Sequence, residues 1–151
     1  MKYLLAGLLL LLASCAPPKS ARQTAVDQLL PQLSQLPGAV VAATEPPSFS
    51  YPDQVMFGSY AVLPMPGGPK LLNPLAVFLK QHPQLRWQVD VRAQTGYGVE
   101  YDQSLAEKRS ELLATYLLSK GVALQGLYFQ PVAASGDQLV FTLKPDEATS
   151  N

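Results

Sequence analysis

The chain alternates strictly between apolar and polar side chains over Leu85-Arg86-Trp87-Gln88-Val89-Asp90-Val91-Arg92-Ala93-Gln94. Because successive side chains of a β-strand point to opposite faces, this alternation puts all the apolar residues on one side. We therefore predict a strand over residues 85–94 that buries one face and exposes the other to water.

A long amphipathic helix is predicted after this strand, over residues 102–120, with Gly121 at its carboxyl end. Burial of its apolar stripe contributes roughly 1.5–3 kcal/mol per large side chain before entropy is counted. The helix must therefore pack on the sheet. The apolar residues on its one side are Leu105, Leu112, Leu113, Tyr116 and Leu117.

Two further elements are predicted upstream. Residues 55–63 are rich in strand-forming side chains and end at a turn-like run of proline and glycine. A helix follows, for which Asn73 is a good N-cap, Pro74 suits the first helical position and Pro83 is the stop. An earlier start at Pro69, with a kink at Pro74, is the alternative.

Two strands are predicted downstream of the long helix, at residues 127–133 and 139–144, and the turn sequence Ser135-Gly136-Asp137-Gln138 between them predicts a hairpin. The order of elements is then β-α-β-α-β-β. Helical crossovers between strands imply parallel β-α-β pairing. We therefore expect an α+β domain over residues 51–145, in which helices cover one face of a mixed sheet.

The segment before this domain, residues 15–50, has the composition of a tether, because half of the prolines in the chain lie between residues 15 and 54. Residues 20–36 show some helical periodicity, but Pro31 removes a backbone hydrogen bond in mid-helix, which predicts a short or broken helix. Residues 146–151 are expected to form a flexible tail.

The first 14 residues are typical of a secretory signal, because Lys2 precedes an apolar run much shorter than the roughly 20 residues that cross a bilayer. The run ends in Leu12-Ala13-Ser14-Cys15, which resembles the lipobox of bacterial lipoproteins. This resemblance implies cleavage before Cys15, a diacylglyceryl group on its sulfur and acylation of the new amino group. Many bacterial lipoproteins that stay in the inner membrane carry Asp directly after the lipidated cysteine. This chain has Ala16 there, so the resemblance favours the outer membrane. The alternative is an ordinary signal peptide with an incidental cysteine.

Composition excludes several classes of function. Removal of the signal takes Lys2 away, which leaves 10 of the 11 basic residues against 11 acidic ones, a net charge of −1 with no basic patch for nucleic acid. The lone cysteine excludes a disulfide framework or a cysteine-rich metal site. The lone histidine, His82, lies beside Pro83 at a helix end, and no nucleophile elbow or phosphate loop is present. We expect no enzyme, no metal and no cofactor beyond the covalent lipid.

The order of elements and several local motifs resemble the OmpA-like peptidoglycan-binding domain, found in outer membrane protein A and in the Pal lipoproteins. The match covers residues 55–144. Residues 101–110 are similar to the family's Y-N-x-x-L-S-x-x-R-A at the start of the second helix, and residues 112–117 to its V-x-x-Y-L. Lys120-Gly121-Val122 fits the G-V that follows, and residues 57–63 resemble the first strand.

In that family a loop Asp, usually in G-H-T-D, and a helix Arg bind the diaminopimelate of the peptidoglycan stem peptide. The chemistry is reasonable, because diaminopimelate presents an ammonium and a carboxylate that pair with Asp and Arg through charge-assisted hydrogen bonds. The resemblance puts Arg109 on the family's Arg. The loop here is Ala93-Gln94-Thr95-Gly96, two residues shorter up to Tyr101, so Gly96 stands where the Asp should be.

The candidate peptidoglycan-binding residues are Arg109, Asp102, Thr95 and Gly96. Asp102 falls on the family's Asn, where capping of the helix is the simpler role. Ser104 with Glu107 forms an alternative capping box. Asp102 or Glu100 could replace the lost carboxylate. For Arg109, the alternative to a ligand contact is a surface salt bridge with Glu107 or Asp102.

Two functions are consistent with these residues. The first is a lipoprotein held on the periplasmic face of the outer membrane by the lipid on Cys15, whose domain associates non-covalently with peptidoglycan. The second is a structural subunit of an envelope-spanning secretion or conjugation complex of the type IV kind, with wall binding weakened or lost, which Gly96 and the short loop favour. The fold by itself does not decide between them, because binding depends on the site.

Overall fold

A computed structural model describes residues 21–145 of the chain, with side chains described from residue 26 onward. The predicted signal, the lipidation site at Cys15 and the predicted tail at residues 146–151 lie outside the described residues. They stay predictions from the sequence.

Three α-helices and five strands form the described part of the chain. The helices are α1 (Ala21–Leu33), α2 (Gly68–Gln81) and α3 (Val99–Ser119). The strands are β1 (Val40–Ala42), β2 (Ser48–Tyr51), β3 (Trp87–Ala93), β4 (Leu127–Ala133) and β5 (Leu139–Leu143), with a 3₁₀ turn at Leu124–Gly126. The predicted α+β class is confirmed.

The strands form one mixed sheet in the order β1-β2-β5-β3-β4. Only β3 and β4 pair in parallel, and α3 connects them, which confirms the predicted β-α-β crossover. The predicted alternation is also confirmed, because Trp87, Val89, Val91 and Ala93 are buried whereas the residues between them are not. Trp87, Val89 and Val91 share one core with apolar residues of α2 and α3, whereas Ala93 packs in a smaller cluster with Leu105 and Ala106 of α3.

The predicted hairpin of the last two strands is wrong. β4 and β5 lie on opposite sides of β3, so that Val89 pairs with Phe129 on one side and with Phe141 on the other. β5 inserts between β2 and β3, which gives hydrogen-bonding partners to both of its edges. The connection from β4 to β5 consequently crosses the carboxyl end of β3, where the Gln138 carbonyl accepts a hydrogen bond from the Arg92 amide at 2.8 Å.

The predicted first strand at residues 55–63 is also wrong, because the strand lies earlier, at β2. Residues 52–67 form no regular strand, apart from one bridge between Phe57 and Pro64. The Gln138 side chain instead forms hydrogen bonds with both backbone groups of Phe57. Its Oε1 accepts from the Phe57 amide at 3.0 Å, and its Nε2 donates to the Phe57 carbonyl at 2.9 Å. A side chain therefore does here what a neighbouring strand would do.

The folded domain begins well before the predicted boundary at residue 51. β1 and β2 belong to the sheet, and Leu29, Leu33 and Leu36 are buried in the main core. α1 runs through Pro31 and ends two residues later, so the helix is 13 residues long and the predicted break at Pro31 is wrong. The high proline content of residues 15–50 predicts a tether, but apolar residues that lie between the prolines are buried in the core.

The two remaining helices begin earlier than their predicted caps. α2 begins at Gly68, close to the alternative start at Pro69, and Asn73 lies inside it, where its Oδ1 accepts a 2.6 Å hydrogen bond from the Tyr116 hydroxyl. α3 begins at Val99, so the predicted capping box of Ser104 and Glu107 is wrong. Within residues 21–145, no helix is long and apolar enough to span a bilayer.

Candidate ligand-binding site

Arg109 is the largest charged side chain in the interior and is only 1 % exposed. Its Nε donates to the Ala61 carbonyl at 2.9 Å, and its Nη2 donates to the carbonyls of Gly58 at 2.7 Å and Ser59 at 3.3 Å. Its Nη1 donates to the Arg92 carbonyl at 3.1 Å, near the end of β3. The predicted surface salt bridge is wrong, since the guanidinium lies under the loop of residues 58–61 and ties it to the sheet.

The environment of this guanidinium is partly apolar. The ring of Phe57 lies 4.9 Å from its central carbon, in a cation–π contact. Burial lowers the pKa of Arg109, whereas the negative charge of Asp53 raises it. Because the pKa of an arginine side chain lies far above 7, Arg109 stays protonated. The positive charge at the base of this region is therefore permanent.

Asp102 does not cap α3 and does not face solvent. It lies in the first turns of the helix, is 6 % exposed, and its Oδ1 accepts hydrogen bonds from the Thr95 amide at 2.9 Å and from the Thr95 hydroxyl. The predicted capping role is wrong because α3 begins one turn earlier, at Val99, with Gly98 at its N-cap position. Asp102 and Thr95 therefore hold the loop between β3 and α3, while Glu100 is exposed on the first turn.

Gly96 offers no side-chain group to a ligand, and its conformation explains why glycine is present. Its φ is +84°, in the left-handed region that favours glycine, and a Cβ there would meet nothing within 4 Å. The loop is open at this point. The position of the family's Asp is consequently an exposed backbone turn in this chain.

A cavity of about 100 Å³ opens beside Arg109, between the carboxyl end of β3 and the connection from β4 to β5. Arg92 on β3 lines it and is bonded to Asp90 at 3.3 Å. The cavity therefore combines two cationic side chains with one carboxylate. Its polar lining side chains include Asp53, Ser59, Arg92, Gln94, Arg109 and Gln138.

Sequence reasoning missed Asp53. It lies in the irregular segment before α2, far from Arg109 along the chain, and no motif or spacing connects the two residues. The sequence did indicate the position of Arg92, because the alternation of β3 predicts that its side chain points away from the core. The structure brings both to the cavity that Arg109 lines.

The arrangement suits a small zwitterionic group. A ligand carboxylate could pair with the Arg92 guanidinium, and a ligand ammonium with the Asp53 carboxylate, both through charge-assisted hydrogen bonds. A volume of about 100 Å³ is below the roughly 300 Å³ of a typical small-molecule pocket, so it accepts the end of a side chain rather than a whole cofactor.

Metal binding has no support in the described part of the chain, where no three His, Cys, Asp or Glu residues could hold an ion together. His82, the single histidine, is bonded through Nε2 to Gln32 Oε1 at 2.8 Å and packs on the ring of Phe78 at 4.8 Å. It therefore ties α1 to the end of α2, away from the cavity.

Comparison with known proteins gives a likeness of fold rather than of sequence. No family model and no curated protein sequence matches the chain. A MotB-like protein from Desulfovibrio vulgaris is 14% identical, with a TM-score of 0.67 over 83% of this chain and 95% of that one. An outer membrane protein from Borrelia burgdorferi is 15% identical, with a TM-score of 0.55 over 71% and 97%. The OmpA-like domain of FopA1 from Francisella tularensis is 18% identical, with a TM-score of 0.53 over 72% and 83%. The chain therefore has the OmpA-like fold.

Proposed function

We propose that this chain is an envelope lipoprotein whose OmpA-like domain binds the stem peptide of peptidoglycan non-covalently, in the cavity lined by Asp53, Arg92 and Arg109. The observation that carries the proposal is the pairing of opposite charges in this one small cavity. The resemblance of the α3 motif to peptidoglycan-binding domains supplies the class of ligand. The end of a diaminopimelate side chain, which carries an ammonium and a carboxylate, matches the cavity in size and charge.

Asp53 replaces, in this proposal, the carboxylate that is absent at Gly96. Of the two carboxylates that the sequence suggested for this role, Asp102 is buried and bonded to Thr95, so it cannot reach a ligand without releasing the loop. Asp53 is exposed at the cavity, and its charge already acts on Arg109. The ammonium of a bound ligand would therefore lie on the Asp53 side and its carboxylate on the Arg92 side.

Arg109 contributes mainly to the shape and the positive potential of the cavity. A guanidinium has five N–H groups, and four of them are donated to backbone carbonyls. At most one is left for a ligand. Arg92, which is about one third exposed, has more freedom to bind a carboxylate directly.

Changing Asp53→Asn is expected to weaken binding to isolated sacculi by roughly 10- to 100-fold, since a charge-assisted hydrogen bond contributes about 1.5–3 kcal/mol. The full chain, kept soluble in a mild detergent, is incubated with sacculi and the bound fraction is measured after sedimentation. Glu100→Gln is the matched control, because it removes an exposed carboxylate near the same loop but outside the cavity lining.

Three results of this sedimentation contradict the proposal. Equal binding by wild type and Asp53→Asn contradicts the assigned site. Loss of binding in Glu100→Gln alone assigns the missing carboxylate to the start of α3. A wild-type chain that stays in the supernatant contradicts wall binding and favours the second function, a structural subunit of an envelope-spanning complex.

The lipid anchor belongs to the same proposal and rests on Cys15 in its lipobox-like sequence. Only five residues lie between Cys15 and the start of α1 at Ala21, a span of at most roughly 20 Å when fully extended. Lipidation at Cys15 would thus hold the domain close to the membrane surface. Fractionation tests the anchor: the wild-type chain is expected in the membrane fraction and Cys15→Ser outside it, whereas co-sedimentation of both contradicts the anchor.

A further inference from the structure

We infer that three exposed tyrosines beside the cavity, Tyr60, Tyr97 and Tyr101, form a platform for a sugar ring of the peptidoglycan glycan strand. The inference rests on the proposed function and extends it, because it assigns a second part of the same ligand to a second surface. We call these three residues the tyrosine platform.

The tyrosine platform is a contiguous aromatic surface in water. Tyr60, Tyr97 and Tyr101 are 56%, 71% and 45% exposed. The ring centroids of Tyr60 and Tyr97 are 5.3 Å apart, and those of Tyr97 and Tyr101 are 5.5 Å apart. Val99, which is 73% exposed, lies between Tyr97 and Tyr101 in the chain. Contiguous apolar surfaces of this kind typically mark binding sites.

The backbone beneath the tyrosine platform is held in place. The two carbonyls that flank Tyr60, those of Ser59 and Ala61, both accept hydrogen bonds from Arg109. The amide of Tyr97 donates to the Thr95 hydroxyl at 3.2 Å, and Asp102 in turn holds Thr95. Rings on a fixed backbone lose less freedom on binding, so this surface is prepared for a ligand.

The position of the tyrosine platform indicates its occupant. Ser59 and Gln94 line the cavity, and Tyr60 and Tyr97 follow them within one and three residues of the chain. In peptidoglycan the stem peptide is joined to a sugar, with two amino acids between that sugar and the third residue. Two extended residues span about 7 Å. A stem peptide with its third residue in the cavity therefore has its sugar within reach of the adjoining rings.

The chemistry of the tyrosine platform also suits a sugar. A pyranose ring presents an apolar face of C–H groups and a rim of hydroxyls, and it is uncharged. A tyrosine ring presents a flat apolar face and one polar tip. Stacking on these rings needs no charged partner, and the platform itself contains no charged side chain.

The test compares two soluble probes by titration calorimetry with the full chain in detergent. One is the stem tripeptide that ends in diaminopimelate, and the other is the same tripeptide attached to its disaccharide. The wild type is expected to bind the disaccharide form about tenfold more tightly. The double variant Tyr60→Ala with Tyr97→Ala is expected to lose this advantage and to keep its affinity for the bare tripeptide.

Tyr128→Ala is the matched control, because Tyr128 is a partly exposed aromatic on β4, in contact with Lys144 at 4.2 Å and outside the cavity lining. It is expected to keep the tenfold advantage. Equal affinity of the wild type for the two probes overturns the inference and leaves the proposed function standing. Binding of neither probe overturns both. A wild-type dimer that the double variant converts to monomer assigns the tyrosine platform to a second copy of the chain and overturns the inference.

Discussion

Replacing Arg109 with alanine is expected to lower the free energy of unfolding by roughly 3–5 kcal/mol. The change removes the donors of four hydrogen bonds, so the carbonyls of Gly58, Ser59, Ala61 and Arg92 lose a partner together. A buried acceptor without a partner costs about 1–3 kcal/mol. The expected loss of unfolding free energy is smaller than four times this cost, because the loop of residues 58–61 is partly open to water and its carbonyls can bind water instead.

Arg109→Lys is expected to restore less than half of that loss, because a lysine ammonium lacks the planar fork that reaches several carbonyls at once. Lys108→Ala is the control, since its side chain is exposed on the same helix and is expected to change stability by less than about 0.5 kcal/mol. Denaturant unfolding of the full chain in detergent measures all three. A loss below about 1 kcal/mol in Arg109→Ala contradicts the structural role given to Arg109.

Replacing Phe49 with alanine is expected to cost roughly 3–5 kcal/mol, the range for a large aromatic in a packed core. Phe49 lies on β2, within the segment whose composition indicates a tether, and is 1% exposed. Its ring stacks on Phe141 at 4.6 Å and contacts the edge of Trp87 at 5.2 Å. Truncation to alanine therefore leaves a cavity between β2, β5 and β3.

Val40→Ala is the control for Phe49→Ala, because Val40 lies in the same proline-rich segment but is 55% exposed on the edge strand β1. It is expected to change stability by less than about 0.5 kcal/mol. If both variants unfold like the wild type, residues 48–51 do not belong to the core and the predicted tether is restored. A chain cut at residue 51 would lack β1 and β2, which makes it unsuitable for binding experiments.

The central part of the fold could be predicted because its signals are local. The alternation of β3 and the apolar stripe of α3 follow from periodicity within one element, and β4 follows from a local strand-like run before a turn; the structure confirms all three. Pairing between elements has no such signal. The turn-like sequence between β4 and β5 suits a hairpin as well as a crossover, and only the insertion of β5 beside β2 decides between them.

The candidate site shows the same division. The motif of α3 contains Arg109 and Asp102; Arg109 lines the cavity, whereas Asp102 holds the loop between β3 and α3. Their roles depend on partners that the motif does not contain: four backbone carbonyls for Arg109, and Thr95 for Asp102. Asp53 had no signal, because an exposed carboxylate in an irregular segment acquires a role only when the fold brings it to a cavity.

The proposed binding is tested most directly by an NMR titration of the isotope-labelled full chain, in detergent micelles, with the stem tripeptide that ends in diaminopimelate. The amide signals of Ser59, Arg92, Gln94 and Gln138 are expected to shift together and to saturate, while those of Gln32 and His82 at the far junction of α1 and α2 stay in place. Signals around the cavity that do not move at saturating tripeptide, or that move no more than those at this junction, would contradict the assignment of the cavity as the wall-binding site.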